Sequence, residues 1–506
     1  MTDQFIYDTH KALIDDAIID GHSLKEIINE IQLLYLADTR PWIVGFSGGK
    51  DSTTVLSLIY QALLDLPESK RKKHIYVVSS DTLVETPVVV DMILDVIKTI
   101  NKIADSHHMP ISAHPVLPKM DETYWVNLLG RGYPAPTQRF RWCTERMKID
   151  PVNEFIKSKV AEFGEVILAL GSRRQESSSR AQVIDKHKIE GTQFARHSTL
   201  PNAFTYMPIQ DWSADSVWEY LMSAPCPWGG SNRALFDLYK GSNQGECPMV
   251  IDKSTPSCGN SRFGCWTCTV VTKDRALHGL IESGESWMKP LLDFRNMLWE
   301  TSQPENKTTY RNYKRRTGRV SYQNGKIDDD TNAETKHIPG PYWMKYRKEW
   351  LEKLLRMEKD LRNEGINIEL IKRDELHAIR QEWLRDPNEP DWQDSIPLIY
   401  SKVYPEEHIE WIENDAGAFT KYDEKLLKDL EEKFDVPAEL IMKLIEVEIS
   451  MNGIGKRHGI LNKLESVLSR DWDTLEKLKE RKFAPERINL YEEKTTDFQS
   501  KLGELN

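Results

Sequence analysis

Six cysteines in 506 residues are too few to cross-link a chain of this size, and four of them crowd between Cys247 and Cys268. Disulfides are therefore not what holds the fold together, and in a cytosolic chain such crowding favours a metal. No apolar run approaches the roughly 20 residues that cross a bilayer, which argues against a membrane-spanning helix. The opening residues, Met1-Thr2-Asp3-Gln4, carry neither the basic start nor the apolar stretch of an export signal, so a cytoplasmic location is expected. Internal repeats and low-complexity tracts are missing too. Nor is there an excess of positive charge: the net charge is −11. That argues against a broad surface coating DNA nonspecifically, while leaving room for a local basic groove.

What the chain does contain fits a soluble globular protein, with 39% hydrophobic and 29% charged residues. Its length suggests two or three domains. Leu24, Ile27, Ile28, Ile31 and Leu34 recur at helical spacing and predict an amphipathic helix over about 23–38. Short apolar runs at 42–46, 74–79 and 166–170 read as buried strands, with helices between them at 53–64 and 87–104. Strands alternating with helices imply an α/β fold with a doubly wound parallel sheet. From about 275 onward Lys, Glu and Leu dominate, and helical patterns recur at 342–362, 373–385, 423–434 and 437–451. Residues 328–341, with Pro339-Gly340-Pro341, read as a linker, and 319–327 as a hairpin with an Asn-Gly turn. The expected organisation is a helical segment at 1–39, a nucleotide-binding domain at 40–240, a cysteine segment at 241–275 and a charged helical region at 276–506.

The most informative stretch is Ser47-Gly48-Gly49-Lys50-Asp51-Ser52, set between the first strand and the helix that follows. Two glycines let the backbone curl so that successive N–H groups face one anion. The helix start behind them adds positive dipole. Lys50 supplies a full charge, and Ser47 and Ser52 supply hydroxyls. Such a cradle suits a pyrophosphate. A plain glycine turn capped by Asp51 or Ser52 is the competing reading. The adjacent glycines before the lysine set it apart from the G-x-x-x-x-G-K-[ST] loop. Asp81 and Thr82 end the second strand, where they can meet a nucleotide or its metal. Gly171 and Arg173 end the third, where an arginine can clamp phosphate oxygens as charge leaves, or can simply pair with Glu176. Ligands on such sheets sit beyond the carboxyl ends of the strands, where all three motifs lie.

Cys247, Cys258, Cys265 and Cys268 follow the pattern C-x10-C-x6-C-x2-C and can converge on one all-sulfur site. By spacing alone zinc and an iron–sulfur cluster fit equally well. Cys143, in Arg141-Trp142-Cys143-Thr144, has three competing roles: a sulfur-carrying thiolate activated by Arg141, Arg146 and Lys148, a cluster ligand, or a buried small residue. Cys226 stands apart and reads as structural. Trp218 and Tyr220-Leu221 read as docking a helix with Ser213 as its N-cap. Between Lys307 and Lys326, basic residues alternate with Tyr310, Tyr313 and Tyr322, which fits either a nucleic-acid track or a solvated charged face.

The Ser47–Ser52 hexapeptide resembles the PP-loop of ATP pyrophosphatases, which cleave ATP between the α and β phosphates. Asp81-Thr82 with Glu85-Thr86, Leu170-Gly171-Ser172-Arg173 with Glu176-Ser177, and the element from Pro208 to Trp218 resemble phosphoadenylyl-sulfate reductases. Only Cys143 stands where the iron–sulfur reductases carry an adjacent cysteine pair. Together with Pro227-Trp228-Gly229-Gly230 and Phe263-Gly264-Cys265-Trp266, the chain resembles the DndC-type component of bacterial DNA phosphorothioation. That resemblance implies catalytic roles for Lys50, Cys143 and Arg173, and ATP bound by Ser47 to Ser52, Asp81, Gly171 and Arg173. It also implies Mg2+, a 4Fe-4S cluster on the four clustered cysteines, DNA as substrate, a cysteine desulfurase as sulfur donor and other Dnd-type proteins as partners. A shorter sulfonucleotide reductase and the pyrophosphatase of a related anti-phage system are the alternatives.

Overall fold

The computed structural model describes residues 17–19, 21–224, 226–242, 264–322, 337–411, 421–434, 436–450 and 459–483. The chain divides into two compact units. The first joins Met1–Asn127, Ala135–Gln303 and Met357–Glu375; the second joins Leu128–Pro134, Pro304–Arg356 and Leu376–Asn506.

In the first unit a two-stranded ribbon of β1 (Ile18–Ile19) and β2 (His22–Ser23) leads into helix α1 (Leu24–Ala37). The main sheet has six strands: β3 (Trp42–Gly45), β4 (Ile75–Ser80), β5 (Ile111–Val116), β6 (Val166–Ala169), β7 (Phe194–Arg196) and β8 (Ala203–Tyr206). Their spatial order is β5-β4-β3-β6-β8-β7, parallel except for the antiparallel edge strand β7. This is the α/β parallel architecture that the alternating strands and helices implied. β3 is buried at all four positions because both faces of the sheet are covered, which is why it reads as an unbroken apolar run. Trp42, Val44, Val77, Ile167 and Ala169 face one core, shared with α1, α2 (Lys50–Leu64) and α3 (Pro87–Ser106). Ile43, Val78, Val166 and Leu168 face the other, shared with Val152 and Ile156 of α4 (Asp150–Phe163). β3 pairs with β4 on one side and β6 on the other, so the order of the chain reverses at β3 and opens a crevice at the carboxyl ends there.

Helix α5 (Ser178–His187) follows β6, and α6 (Ala214–Ser223) and α7 (Arg233–Ser242) follow the sheet. Ser213 caps α6 as expected, its hydroxyl accepting from the Ser216 N–H at 3.1 Å. α2 is the central helix of the unit, buried on nearly every side. Trp266 enters an aromatic nest with ring centroids 5.8 Å from Trp125 and 6.1 Å from Phe294. Trp125 donates its indole N–H to the Leu370 carbonyl at 2.7 Å, which ties 357–375 into the same unit.

In the second unit the buried Arg347 guanidinium donates to the Gly130 carbonyl and to Asp386, both at 2.8 Å. Tyr310, Tyr342, Tyr346 and Trp350 form a ring cluster. The described part of the expected linker, 337–341, is a packed strand-like segment. Gly340 donates to the Asn312 carbonyl at 2.6 Å, and a Cβ on Gly340 would fall 1.7 Å from the Lys314 carbonyl oxygen. That glycine answers to close backbone approach rather than to flexibility. Of the expected hairpin, residues 323–327 lie outside the described residues; Tyr322 bridges His337.

Candidate functional site

The Ser47–Ser52 loop turns between β3 and α2, and it is held by its own atoms. The Ser47 N–H donates to Ser52 Oγ at 3.2 Å, and Ser52 Oγ donates to the Gly49 carbonyl at 2.9 Å. Gly48 has φ +69°, and a Cβ there would meet Ile93 at 2.6 Å, so the turn requires glycine. Gly49 is the N-cap of α2 and offers no side-chain acceptor, so the first-turn N–H groups depend on acceptors from outside. Tyr239 of α7 supplies one: its hydroxyl accepts from the Lys50 N–H at 3.3 Å.

Lys50 is almost fully buried, and its Nζ lies 2.8 Å from Asp51 Oδ2. Arg173 is also buried, donating from Nε to Asp51 Oδ1 at 2.5 Å and from a terminal nitrogen to the Trp212 carbonyl at 3.2 Å. Asp51 is thus shared between two cations, and Arg173 acts on the loop through it. Glu176 accepts from the Arg173 N–H at 2.9 Å and pairs with the buried Arg180. Gly171 lies against the start of α2, where a Cβ would sit 2.7 Å from the Asp51 carbonyl carbon. The loop and the β6 end therefore form one unit of backbone.

At the end of β4 the Leu83 N–H donates to Asp81 Oδ1 at 2.8 Å, and Leu83 adopts φ 63°, a left-handed conformation uncommon for leucine. Burial raises the Asp81 carboxyl above its usual range, with Leu83 opposing. Just beyond, the chain zips to the cysteine segment. Thr86 donates N–H and hydroxyl to the Gly264 carbonyl at 2.9 and 2.8 Å, and Trp266 donates its N–H to the Val84 carbonyl at 3.0 Å. This places Cys265 Sγ 3.3 Å from the Thr82 hydroxyl and 3.7 Å from Glu85 Oε1, which also receives Lys148 Nζ at 2.9 Å. The Cys268 N–H closes a turn on the Cys265 carbonyl at 3.0 Å, and buried Arg295 donates to the Cys268 carbonyl at 2.8 Å.

Cys143 lies within electrostatic reach of Cys265 and Cys268. Burial pushes the Cys143 thiol up to about 12, Cys268 adds to the rise, and Lys148 opposes it. The Cys265 thiol is also raised well above its usual value, chiefly by burial and then by Glu85. The thiolate activation expected from the nearby cations is outweighed, since Lys148 engages Glu85, Arg146 engages Glu122 and Asn127, and Arg141 donates to the Gln138 carbonyl. Cys226 is buried in the core at 5% exposure, the structural place expected for it.

Cys247 and Cys258 lie outside the described residues, so the four-cysteine set is seen only through Cys265 and Cys268. No disulfide involves Cys143, Cys226, Cys265 or Cys268. Among the described residues no group of three or more His, Cys, Asp or Glu is arranged to hold a metal ion. By donor chemistry cysteine sulfur suits a soft iron–sulfur or zinc centre, and Cys265 and Cys268 are the described members of the expected set. The sequence did not single out Tyr239, because no local signal marks a contact made across 189 positions.

Residues 41–271 match the phosphoadenosine phosphosulfate reductase domain family. The matched stretch is 231 of the 506 residues and is similar to that family. The matched residues include the six-stranded sheet, the loop and both described cysteines of the clustered segment. The chain is 28% identical over 238 residues to the uncharacterized protein MJ0066 of Methanocaldococcus jannaschii, covering 46% of this chain and 43% of that protein. It is 27% identical over 176 residues to MJ0973 of the same organism, covering 35% and 34%. The chain thus spans less than half the length of the curated relatives it matches. Among solved structures, Candida glabrata FMN adenylyltransferase with FAD and pyrophosphate is similar at 12% identity and TM-score 0.26, over 44% of this chain and 65% of that one. The Methanococcus maripaludis U34-tRNA thiolase NcsA with its [4Fe-4S] cluster is similar at 14% identity and TM-score 0.26, over 43% and 72%. No helix among the described residues is long and apolar enough to cross a membrane.

Proposed function

We propose that the protein is a cytoplasmic ATP pyrophosphatase of the sulfur-transfer kind. It would activate a DNA backbone phosphate so that sulfur replaces a non-bridging oxygen. One observation carries this reading: an anion cradle after β3 and a gathering of thiols after the adjacent β4, at the same edge of one domain. The chemistry follows from leaving groups. A phosphate oxygen attacks the α-phosphorus of ATP, the α–β bond breaks, and pyrophosphate departs. Loop N–H groups and the Lys50 charge suit the negative charge that builds on it.

A persulfide sulfur from a cysteine desulfurase then attacks the activated phosphorus. AMP leaves with the oxygen, and a second thiol frees the carrier by forming a disulfide with it. Cys265 and Cys268, with Cys247 and Cys258, would hold a 4Fe-4S cluster, which when bound would supply a place to keep sulfur. Each Asp51 oxygen already has a cation, so Mg2+ held chiefly by the phosphates fits this loop better than Mg2+ held by Asp51. DNA and other Dnd-type proteins would be the partners.

The test uses anaerobically purified full-length protein with ATP, a DNA fragment, a cysteine desulfurase and cysteine. AMP and pyrophosphate should form in equal amounts, iron and labile sulfide should be present, and sulfur should enter the DNA. Lys50→Ala should slow pyrophosphate release by about 100-fold or more. A Lys50→Ala protein as fast as the unaltered one would refute the role of the loop. The family match also favours a sulfonucleotide reductase. Sulfite released from phosphoadenosine phosphosulfate and a thiol, with ATP left intact, would move the protein to that activity.

A further inference from the structure

We propose that Tyr239 is a phosphate-binding residue of the Ser47–Ser52 loop, supplied by helix α7. The inference rests on reading that loop as an ATP site, and adds to it a side chain that lies far outside the loop in sequence. The Tyr239 hydroxyl sits where a phosphate oxygen would sit: it accepts the Lys50 N–H, the first of α2, at 3.3 Å. A charged phosphate oxygen is a stronger acceptor than a neutral phenol and takes over that N–H. The phenol can either accept or donate, so toward the incoming oxygen it becomes the donor. One group thereby satisfies the loop without ligand and grips the ligand when it arrives.

The placement is built rather than incidental. Trp218 of α6 meets Tyr239 edge to face at 5.1 Å and Phe236 at 5.3 Å, and those two lie three residues apart on one face of α7. α6 is fixed in turn on α2, where the Tyr220 hydroxyl lies 2.9 Å from Ser57 Oγ. The phenol is therefore held by a closed circuit that starts and ends on the helix carrying the loop. Glycine at the N-cap brings no side-chain acceptor of its own, and Tyr239 brings one from elsewhere in the chain.

The experiment titrates the full chain with inorganic pyrophosphate by calorimetry, comparing unaltered protein with Tyr239→Phe, Trp218→Leu and the double variant. Tyr239→Phe should weaken binding about 10-fold, the effect of one hydrogen bond to a charged group. Trp218→Leu should weaken it comparably, and the double variant should be little worse than Tyr239→Phe alone, because both act through the same hydroxyl. Unchanged or tighter binding by Tyr239→Phe would overturn the proposal while leaving the loop as a phosphate site. Failure of the unaltered protein to bind pyrophosphate would overturn the loop reading, and this one with it. Should Trp218→Leu not fold, Tyr239→Phe decides alone.

Discussion

Gly171 has no side chain because there is no room for one. A Cβ would lie 2.7 Å from the Asp51 carbonyl carbon and 2.9 Å from the Ser52 nitrogen, both backbone atoms that cannot step aside. Gly171→Ala should therefore move the start of α2, lower stability by about 1–3 kcal/mol and weaken pyrophosphate binding. Thermal melting and titration read the two effects separately. Residue by residue, the turn of the loop was legible because it is local: six neighbours build it. The thiol group was legible only in part. Cys265 and Cys268 are close in sequence, whereas their pairing with the residues after β4 joins stretches about 180 positions apart. Arg173 was placed correctly at a strand end, but its buried contact with Asp51 depends on the β3–β6 pairing, which no local pattern encodes.

Among the elements, β3, β4 and β6 announced themselves as apolar runs because both their faces are covered. β5 and β7 flank the sheet, and β5 carries Ser112, His114 and Pro115, so its pattern is too polar to read as a buried strand. Those polar residues make a pH-sensitive patch. His74 and His114 each place Nε2 2.7 Å from the Ser112 hydroxyl, with Tyr76, Phe155 and Lys159 packed around them. Burial lowers both imidazoles; His114 and Lys159 lower His74 further against Glu162, and Lys159 lowers His114 further. Unfolded histidine takes up its proton near pH 6.5, above both folded groups, so the unfolded state gains more protons as the pH falls. Stability should be intact above about pH 6.5 and decline as the pH drops through the lowered folded values. Urea midpoints across that range check it, and the His74→Gln, His114→Gln double variant should flatten the decline.

At the scale of the whole chain, the basic and aromatic stretch between Lys307 and Tyr322 shows why composition alone could not decide its role. Arg311 donates to the Gly340 and Pro339 carbonyls, Arg316 to the Arg131 carbonyl, and Arg319 to Ser469, while Lys314 lies over the Tyr313 and Trp472 rings. Burial lowers Arg311 to about 10. These contacts brace the second unit, while Arg315 and Arg319 stay exposed. Arg311→Ala should cost about 1–3 kcal/mol by stranding two carbonyls, seen as a lower melting temperature, with little change in binding to a DNA oligonucleotide.

In the first unit the corresponding brace is aromatic. Trp266→Ala should cost about 3–5 kcal/mol and speed the labelling of Cys265 and Cys268 by a thiol reagent, because the indole pins the segment that carries them.

The return of residues 357–375 to the first unit bears on how the chain can be dissected. A fragment stopping at Gln303 would possess every motif proposed to meet a nucleotide and still be incomplete. The Trp125 indole would lose the Leu370 carbonyl, and the apolar side chains of Leu361, Leu370 and Ile371 would be absent from its interior. Cutting this protein by the borders of its motifs would expose an unhealed hydrophobic scar, so a minimal working piece must be assembled from non-adjacent stretches of the gene.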